Sequence, residues 1–228
     1  MTDQPIVFLA GLGVDERLFV RQRPPFPTLV VPRWIEPHPG EALREYSRRM
    51  AATISPHPDM ILGGVSMGGM VALEMAKILK PRGLVLIGSC QRPNEIFGWI
   101  RAVASVARYA PALRGNHMKW IAKMGMPLMG VCERGHREIL LQLAEDLSSK
   151  FACWAAGAIV DWPGATPAMC PVLRIHGRRD RMIRCPLESS SANQTTAIVA
   201  GAGHVLNLTH AEEVNDAIAS WVANLNHN

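Results

Sequence analysis

The run Met60-Ile-Leu-Gly-Gly-Val65-Ser66-Met67-Gly-Gly-Met70-Val-Ala-Leu-Glu-Met75-Ala-Lys-Ile-Leu79 changes character at one residue. Up to Val65 it is a continuous apolar stretch of strand length, the pattern of a strand buried on both faces. From Met67 onward, apolar residues surround most of a helical circumference, as in a helix packed deep beside a sheet, until Pro81 stops it. The change is compressed into Gly64-Val65-Ser66-Met67-Gly68, a G-x-S-x-G string that is weak alone and strong between a strand and a helix. A turn this sharp pushes the serine toward an unfavourable backbone conformation, and Gly64, Gly68 and Gly69 relieve the crowding between strand and helix. The hydroxyl then projects from the carboxyl end of the sheet, where the positive N-terminus of the helix favours a developing anion. An ordinary helix-capping serine is the blander reading, and it leaves the glycines unexplained.

The same alternation continues in both directions. Apolar runs at Ile6 to Ala10, Thr28 to Val31, Leu84 to Gly88, Val172 to His176 and Thr196 to Val199 read as strands, making about six with Met60 to Val65. Helical spacing over Glu41 to Ile54 puts Leu43, Tyr46, Met50 and Ile54 on one side, with Pro56 and Pro58 enforcing its end, and Ala211 to Leu225 forms a last helix. Strands alternating with helices predict an α/β fold with a mostly parallel sheet flanked by helices. Residues 91–166 depart from that rhythm: they are rich in Ala, Met, Leu and Trp and contain no convincing strand. Pro111, Gly115, Gly125, Pro127, Gly130 and Gly135 divide them into short helices, as a mobile lid requires. The chain therefore reads as a core of residues 1–90 and 167–228 with a helical cap of residues 91–166.

Composition narrows the setting. A chain of 228 residues with 48% hydrophobic content can bury a stable core without metal or disulfides. Cys90, Cys132, Cys153, Cys170 and Cys185 are odd in number and match no zinc spacing, which points to reduced thiols in a cytoplasm. The apolar run from Ile6 is too short for a signal peptide, and nothing approaches the roughly 20 apolar residues of a membrane span. The net charge is +5, and Arg92 to Lys150 holds nine Lys or Arg against five Asp or Glu. Those bases are interspersed with acids and lack stacking aromatics, so a solvated helical face is favoured over nucleic-acid binding.

A serine hydroxyl is a poor nucleophile at neutral pH and needs an adjacent base oriented by a carboxylate. Asp180, in His176-Gly-Arg-Arg-Asp180, and His204, in Gly201-Ala-Gly-His204, both follow predicted strands at their carboxyl ends. Of the other histidines, His38 and His57 sit in proline-containing loops, and His117, His136, His210 and His227 lack a strand-end setting. His176 lies in the right neighbourhood, but its place ahead of Gly177 fits a structural hydrogen bond better. Asp161 competes with Asp180, because Asp161-Trp162-Pro163 ends the insertion and can return toward the core. Asp15 and Glu16 read as first-turn residues favoured by a helix dipole.

The order Ser66, Asp180, His204, with the H-G-x-x-D and G-x-G-H segments about two dozen residues apart, resembles the α/β-hydrolase superfamily, and within it the carboxylesterase-like serine esterases. The resemblance covers nearly the whole chain. Ala10-Gly11-Leu12-Gly13 resembles the loop after the family's third strand, with alanine where histidine often stands, and the two antiparallel strands usual before it are missing from the pattern. The resemblance implies a Ser66, Asp180 and His204 triad, an oxyanion hole from the backbone N–H groups of Leu12 and Met67, and an acyl-enzyme needing no cofactor or metal. It implies hydrolysis of a small or medium acyl ester. Trp99, Trp120 and Met124 of the insertion, and also Met118, Met126 and Met129, are candidates for an apolar acyl pocket beneath the lid, with core packing of the lid helices as the equal alternative. A thioester is the main alternative, lyases and carbon–carbon bond hydrolases share the same triad, and the serine argues against haloalkane dehalogenases. Arg101, Arg108 and Arg114 are candidates for docking an acidic acyl carrier protein. A ligand receptor that keeps the pocket without turnover is the alternative from another class.

Overall fold

The computed structural model describes residues 4–109, 127, 129–131, 133–186 and 193–225. Strands β1 (Ile6–Leu9), β2 (Leu29–Val30), β3 (Ile61–Val65), β4 (Gly83–Ile87), β5 (Val172–Gly177) and β6 (Gln194–Val199) form one sheet. Their order is β2-β1-β3-β4-β5-β6, and every neighbouring pair is parallel. Parallel strands require crossovers, which the helices α1 (Leu43–Ala51) and α2 (Met67–Leu79) supply on one face. The last helix, α6 (Ala211–Leu225), follows β6 and packs on the other face. Between β4 and β5 lie α3 (Gly98–Ala107), α4 (Arg134–Asp146) and α5 (Ser149–Asp161).

Alternation along the buried strands sorts their side chains into two layers. Phe8, Ile61, Val85, Ile87, Leu173 and Ile175 meet Val214, Ile218, Trp221 and Val222 of α6. Leu9, Leu62, Leu84 and Leu86 meet Tyr46 and Met50 of α1 and Met70, Val71 and Met75 of α2. Each large side chain so buried contributes about 1.5–3 kcal/mol. α1 is shorter than its apolar spacing predicts. The Glu41 carboxylate is held ahead of the helix by the His38 N–H (2.9 Å) and by Arg49 (2.8 Å). The helix then begins where the Glu45 carboxylate accepts the Ala42 N–H (3.2 Å).

The helices between β4 and β5 are joined to the core through aromatic residues. The Trp154 ring of α5 packs tilted against Tyr46 with centroids 4.3 Å apart, Phe151 lies 5.8 Å from Trp34, and the Trp154 indole donates to the Glu41 carbonyl (2.8 Å). The Trp162 indole donates to the buried Glu74 carboxylate of α2 (3.0 Å), which also takes Lys77 (2.5 Å). Gly135 lies in the first turn of α4 and does not separate two helices there. Pro111, Gly115 and Gly125 fall outside the described residues. No helix among the described residues is long and apolar enough to cross a membrane.

Candidate active site

The chain leaves β1 for β2 at one edge and then crosses to β3 on the other side of β1, so the carboxyl ends of β1 and β3 flank a topological switch point. Ligand crevices of parallel sheets open at such points, where successive loops diverge. Here the loop through Gly11 and Leu12 leaves β1, and the turn at Ser66 leaves β3.

Ser66 has φ 54° and ψ −121°, and among the described residues only Lys80 is another non-glycine residue with positive φ. Such a conformation costs on the order of 1–3 kcal/mol and needs surrounding structure to hold it. Backbone bonds do so: the Ser66 N–H donates to the Ile87 carbonyl (3.0 Å), and the Ser66 carbonyl accepts from the Gly69 N–H (3.0 Å) and the Ser89 hydroxyl (2.7 Å). The first turn of α2 lies so close to β1 that a Cβ on Gly68 would strike the carbonyl oxygens of Leu9 and Ala10.

His204 follows β6 and faces the serine, its Nε2 3.0 Å from Ser66 Oγ and its Nδ1 2.8 Å from Asp180 Oδ2. Asp180 follows β5, and its Oδ1 accepts the N–H groups of Met182 (2.7 Å) and Ile183 (3.0 Å). His176 Nε2 stands 3.3 Å from Asp180 Oδ2 and 3.1 Å from the Ile183 carbonyl. Two acceptors face that nitrogen, so it carries a hydrogen. Burial of Asp180 would raise its pKa, but His204, the hydrogen bonds from His176 and His204, and the Ile183 N–H outweigh it and hold the carboxyl well below the usual carboxylate range. An ionised Asp180 accepts the hydrogen of His204 Nδ1, which leaves Nε2 as the ring nitrogen that faces Ser66 Oγ. Ser66 and His204 open onto a cavity of about 360 Å³, which Leu12 and Met67 also line.

A model of the alpha/beta hydrolase family matches residues 6–217. The chain belongs to that family. Among solved structures it is similar to a thermophilic esterase from Thermogutta terrifontis (20% identity, 98% of this chain and 91% of that one, TM-score 0.77). It is similar also to an esterase from Exiguobacterium antarcticum (17%, 97% and 92%, TM-score 0.79) and to an enol-lactonase from Burkholderia xenovorans LB400 (16%, 97% and 92%, TM-score 0.75). At such identities the likeness is one of fold. A search of curated protein sequences finds no match.

The other expected site residues of this α/β hydrolase fall in varied places. Trp99 is 42% exposed and does not line the cavity; its helical neighbours Ile100, Val103 and Ala104 do. One residue of helix is about 100° of rotation, which turns Trp99 outward once Ile100 faces in. Met129 lines the cavity. Trp120, Met124, Met118 and Met126 lie outside the described residues, as does Arg114. The Asp161 side chain is 61% exposed and paired with Arg108, and it does not line the cavity onto which Ser66 and His204 open. Asp15 caps the short 3-10 turn Glu16–Phe19 by accepting the Arg17 N–H (3.0 Å), and the Arg17 side chain holds its carboxyl below the usual range.

Two neighbours of the site go beyond the sequence reading. His176 contacts Asp180 directly, and its signal was the polar pair Arg174 and His176 at alternate positions of an otherwise apolar strand; Arg174 is buried against Glu95 (2.5 Å). The Met129 carbonyl accepts the His204 N–H (3.0 Å), a contact between segments far apart in the chain that no local pattern announces. Gly203 permits it, since a Cβ there would come within 2.6 Å of the Met129 oxygen and 2.8 Å of Gly130 Cα. Gly203→Ala is therefore expected to displace the histidine loop and lower kcat by about 10 to 100-fold. Steady-state kinetics should show that loss in kcat more than in KM, with the protein still folded by circular dichroism.

Proposed function

We propose that this α/β hydrolase cleaves carboxylic esters of small or medium acyl groups through an acyl-enzyme on Ser66. What carries the reading is the unbroken chain from Ser66 Oγ through His204 to the buried Asp180, opening onto an apolar cavity. His204 Nε2 takes the Ser66 proton as Oγ attacks the carbonyl carbon, and Asp180 stabilises the resulting imidazolium. The oxyanion meets the backbone N–H groups of Leu12 and Met67, the latter at the positive end of α2. The imidazolium then protonates the departing alkoxide, leaving the acyl group on Ser66. Water deprotonated by His204 attacks that ester in turn, and collapse of the second oxyanion releases the acid and restores the serine.

The segment of residues 91–166 acts in this reading as a cap, its α3, α4 and α5 supplying walls of the cavity. A thioester would react along the same path, with a thiolate in place of the alkoxide. Docking of an acidic acyl carrier protein has less to rest on, because Arg108 is already committed to Asp161.

A fluorescent fluorophosphonate tests the proposal. Labelling is expected at Ser66, located by mass mapping of the labelled peptide, and is expected to disappear in His204→Ala. A folded protein that takes no label would sink the esterase reading and favour a receptor that binds without turnover.

A further inference from the structure

We propose that the part of the substrate held in the cavity is uncharged and apolar, so that esters carrying a second carboxylate are rejected; this rests on the esterase reading above and sharpens its substrate class. Among the described residues, the cavity wall has no Lys, Arg, Asp, Glu, Asn, Gln, Thr or Tyr. Its only polar side chains are Ser66 and His204, both occupied by the reaction. The rest is aliphatic or thioether, with Leu18, Met70, Ile100, Val103, Leu140 and Ile159 contributed from both the core and the helices between β4 and β5.

Three arginines among the described residues are already paired. Arg17 pairs with Asp15 (2.7 Å) and Asp146 (2.6 Å), Arg108 with Asp161, and Arg174 with Glu95 (2.5 Å), and none of the three lines the cavity. A carboxylate entering it would lose its hydration and meet no charged side chain among the described residues of the wall, which is among the most costly forms of burial. A methyl group at the same place would gain by leaving water. The wall therefore selects against charge more strongly than it selects for any particular shape, and Met67, Met70, Met129 and Met182, with their flexible thioethers, let it close on chains of different form. At about 360 Å³ the space lies near the lower end of the range for small-molecule sites, which sets a ceiling on chain length.

Two esters of equal length decide the matter: p-nitrophenyl hexanoate and the mono-p-nitrophenyl ester of adipic acid. The neutral ester is expected to have the higher kcat/KM by at least about a hundredfold, the factor that follows from burying an unpaired carboxylate. Within the neutral series, kcat/KM should rise by about fourfold per methylene, the increment of burying one CH₂, until the cavity is full. Val103 is on the wall yet 58% exposed, so Val103→Arg can bring in a guanidinium without emptying the core. It should narrow the preference by about tenfold or more, as one charge-assisted pair allows.

Equal kcat/KM for the two esters would overturn the inference while leaving the esterase reading in place. Should neither ester turn over, the esterase reading fails, and binding to the Ser66→Ala protein still decides the charge preference. Calorimetry there is expected to detect ethyl hexanoate and to find monoethyl adipate far weaker. Equal affinities, or no binding of ethyl hexanoate, would overturn the inference.

Discussion

Ser66→Ala is expected to lower kcat for ester hydrolysis by about five to six orders of magnitude, leaving the residual acceleration that binding and the oxyanion hole supply alone. The size of the effect follows from what the variant removes in the proposed mechanism: the attacking atom itself. Its effect on folding should be slight. The bonds that hold the turn at φ 54° are made by the Ser66 backbone, with Ile87, Gly69 and Ser89, and alanine keeps all of them. Among the described residues the hydroxyl's side-chain partner is His204 Nε2 at 3.0 Å, on the wall of an open cavity that water can reach. A stability change within about 1 kcal/mol, or about 2 to 4 °C in Tm for a chain of this size, is expected. Kinetics on a chromogenic ester and a thermal melt of the same preparation make the check together. A folded variant with unchanged turnover would mean that another group attacks.

The elements that positioned this site could be read from the sequence because their signals are local. β1, β3 and β4 are short apolar runs, whereas β6 begins at Gln194, ahead of the expected Thr196 to Val199 run, and α2 and the last helix occupy the spans that their apolar spacing predicts, Met67–Leu79 and Ala211–Leu225. Ser66, Asp180 and His204 were singled out by lying just past strand ends, and a parallel sheet brings all such ends to one edge. What escaped the sequence depends on contacts between distant segments. The bond between the Met129 carbonyl and the His204 N–H needs the close approach of Gly203 and Gly130, and nothing in the sequence around Met129 marks it as the partner. The outward position of Trp99 is of the same kind. Composition says that an aromatic residue in an apolar segment is a candidate for the pocket, but the rotation of α3 about its axis is set by its packing against α5, and that turns Ile100 and Val103 inward. His176 stood between these cases: its polarity in a buried strand was visible, whereas its partnership with Asp180 required the chain to bend back at Gly177.

Asp180→Asn is expected to be nearly as damaging as loss of the serine, lowering kcat by about 10⁴-fold. The carboxylate receives hydrogens on both oxygens, from Met182 and Ile183 on Oδ1 and from His204 and His176 on Oδ2. An asparagine has one oxygen and one NH₂, so either orientation sets its NH₂ against N–H donors. If the oxygen keeps the backbone bonds, the amide faces His204 Nδ1, and the imidazole is driven to carry its hydrogen on Nε2, where it can no longer take the serine proton. The same conflict destabilises the fold by about 1–3 kcal/mol, the cost of a buried polar group left unpaired. Its pH dependence has a definite sign. The folded pKa of Asp180 lies below the unfolded value of about 3.9, so the stabilisation is complete above that pH and is lost as pH falls toward the folded pKa. The melting temperatures of wild type and Asp180→Asn should thus differ most near neutrality and converge below about pH 4, in scans carried from pH 7 into that range. Asp161→Asn provides the contrast, since that carboxylate is 61% exposed and bound only at the surface to Arg108. It should change stability by less than about 1 kcal/mol and leave kcat within about twofold. If Asp161→Asn proved the more damaging of the two in a folded protein, the orienting carboxylate would have to be sought at the end of α5 and not after β5.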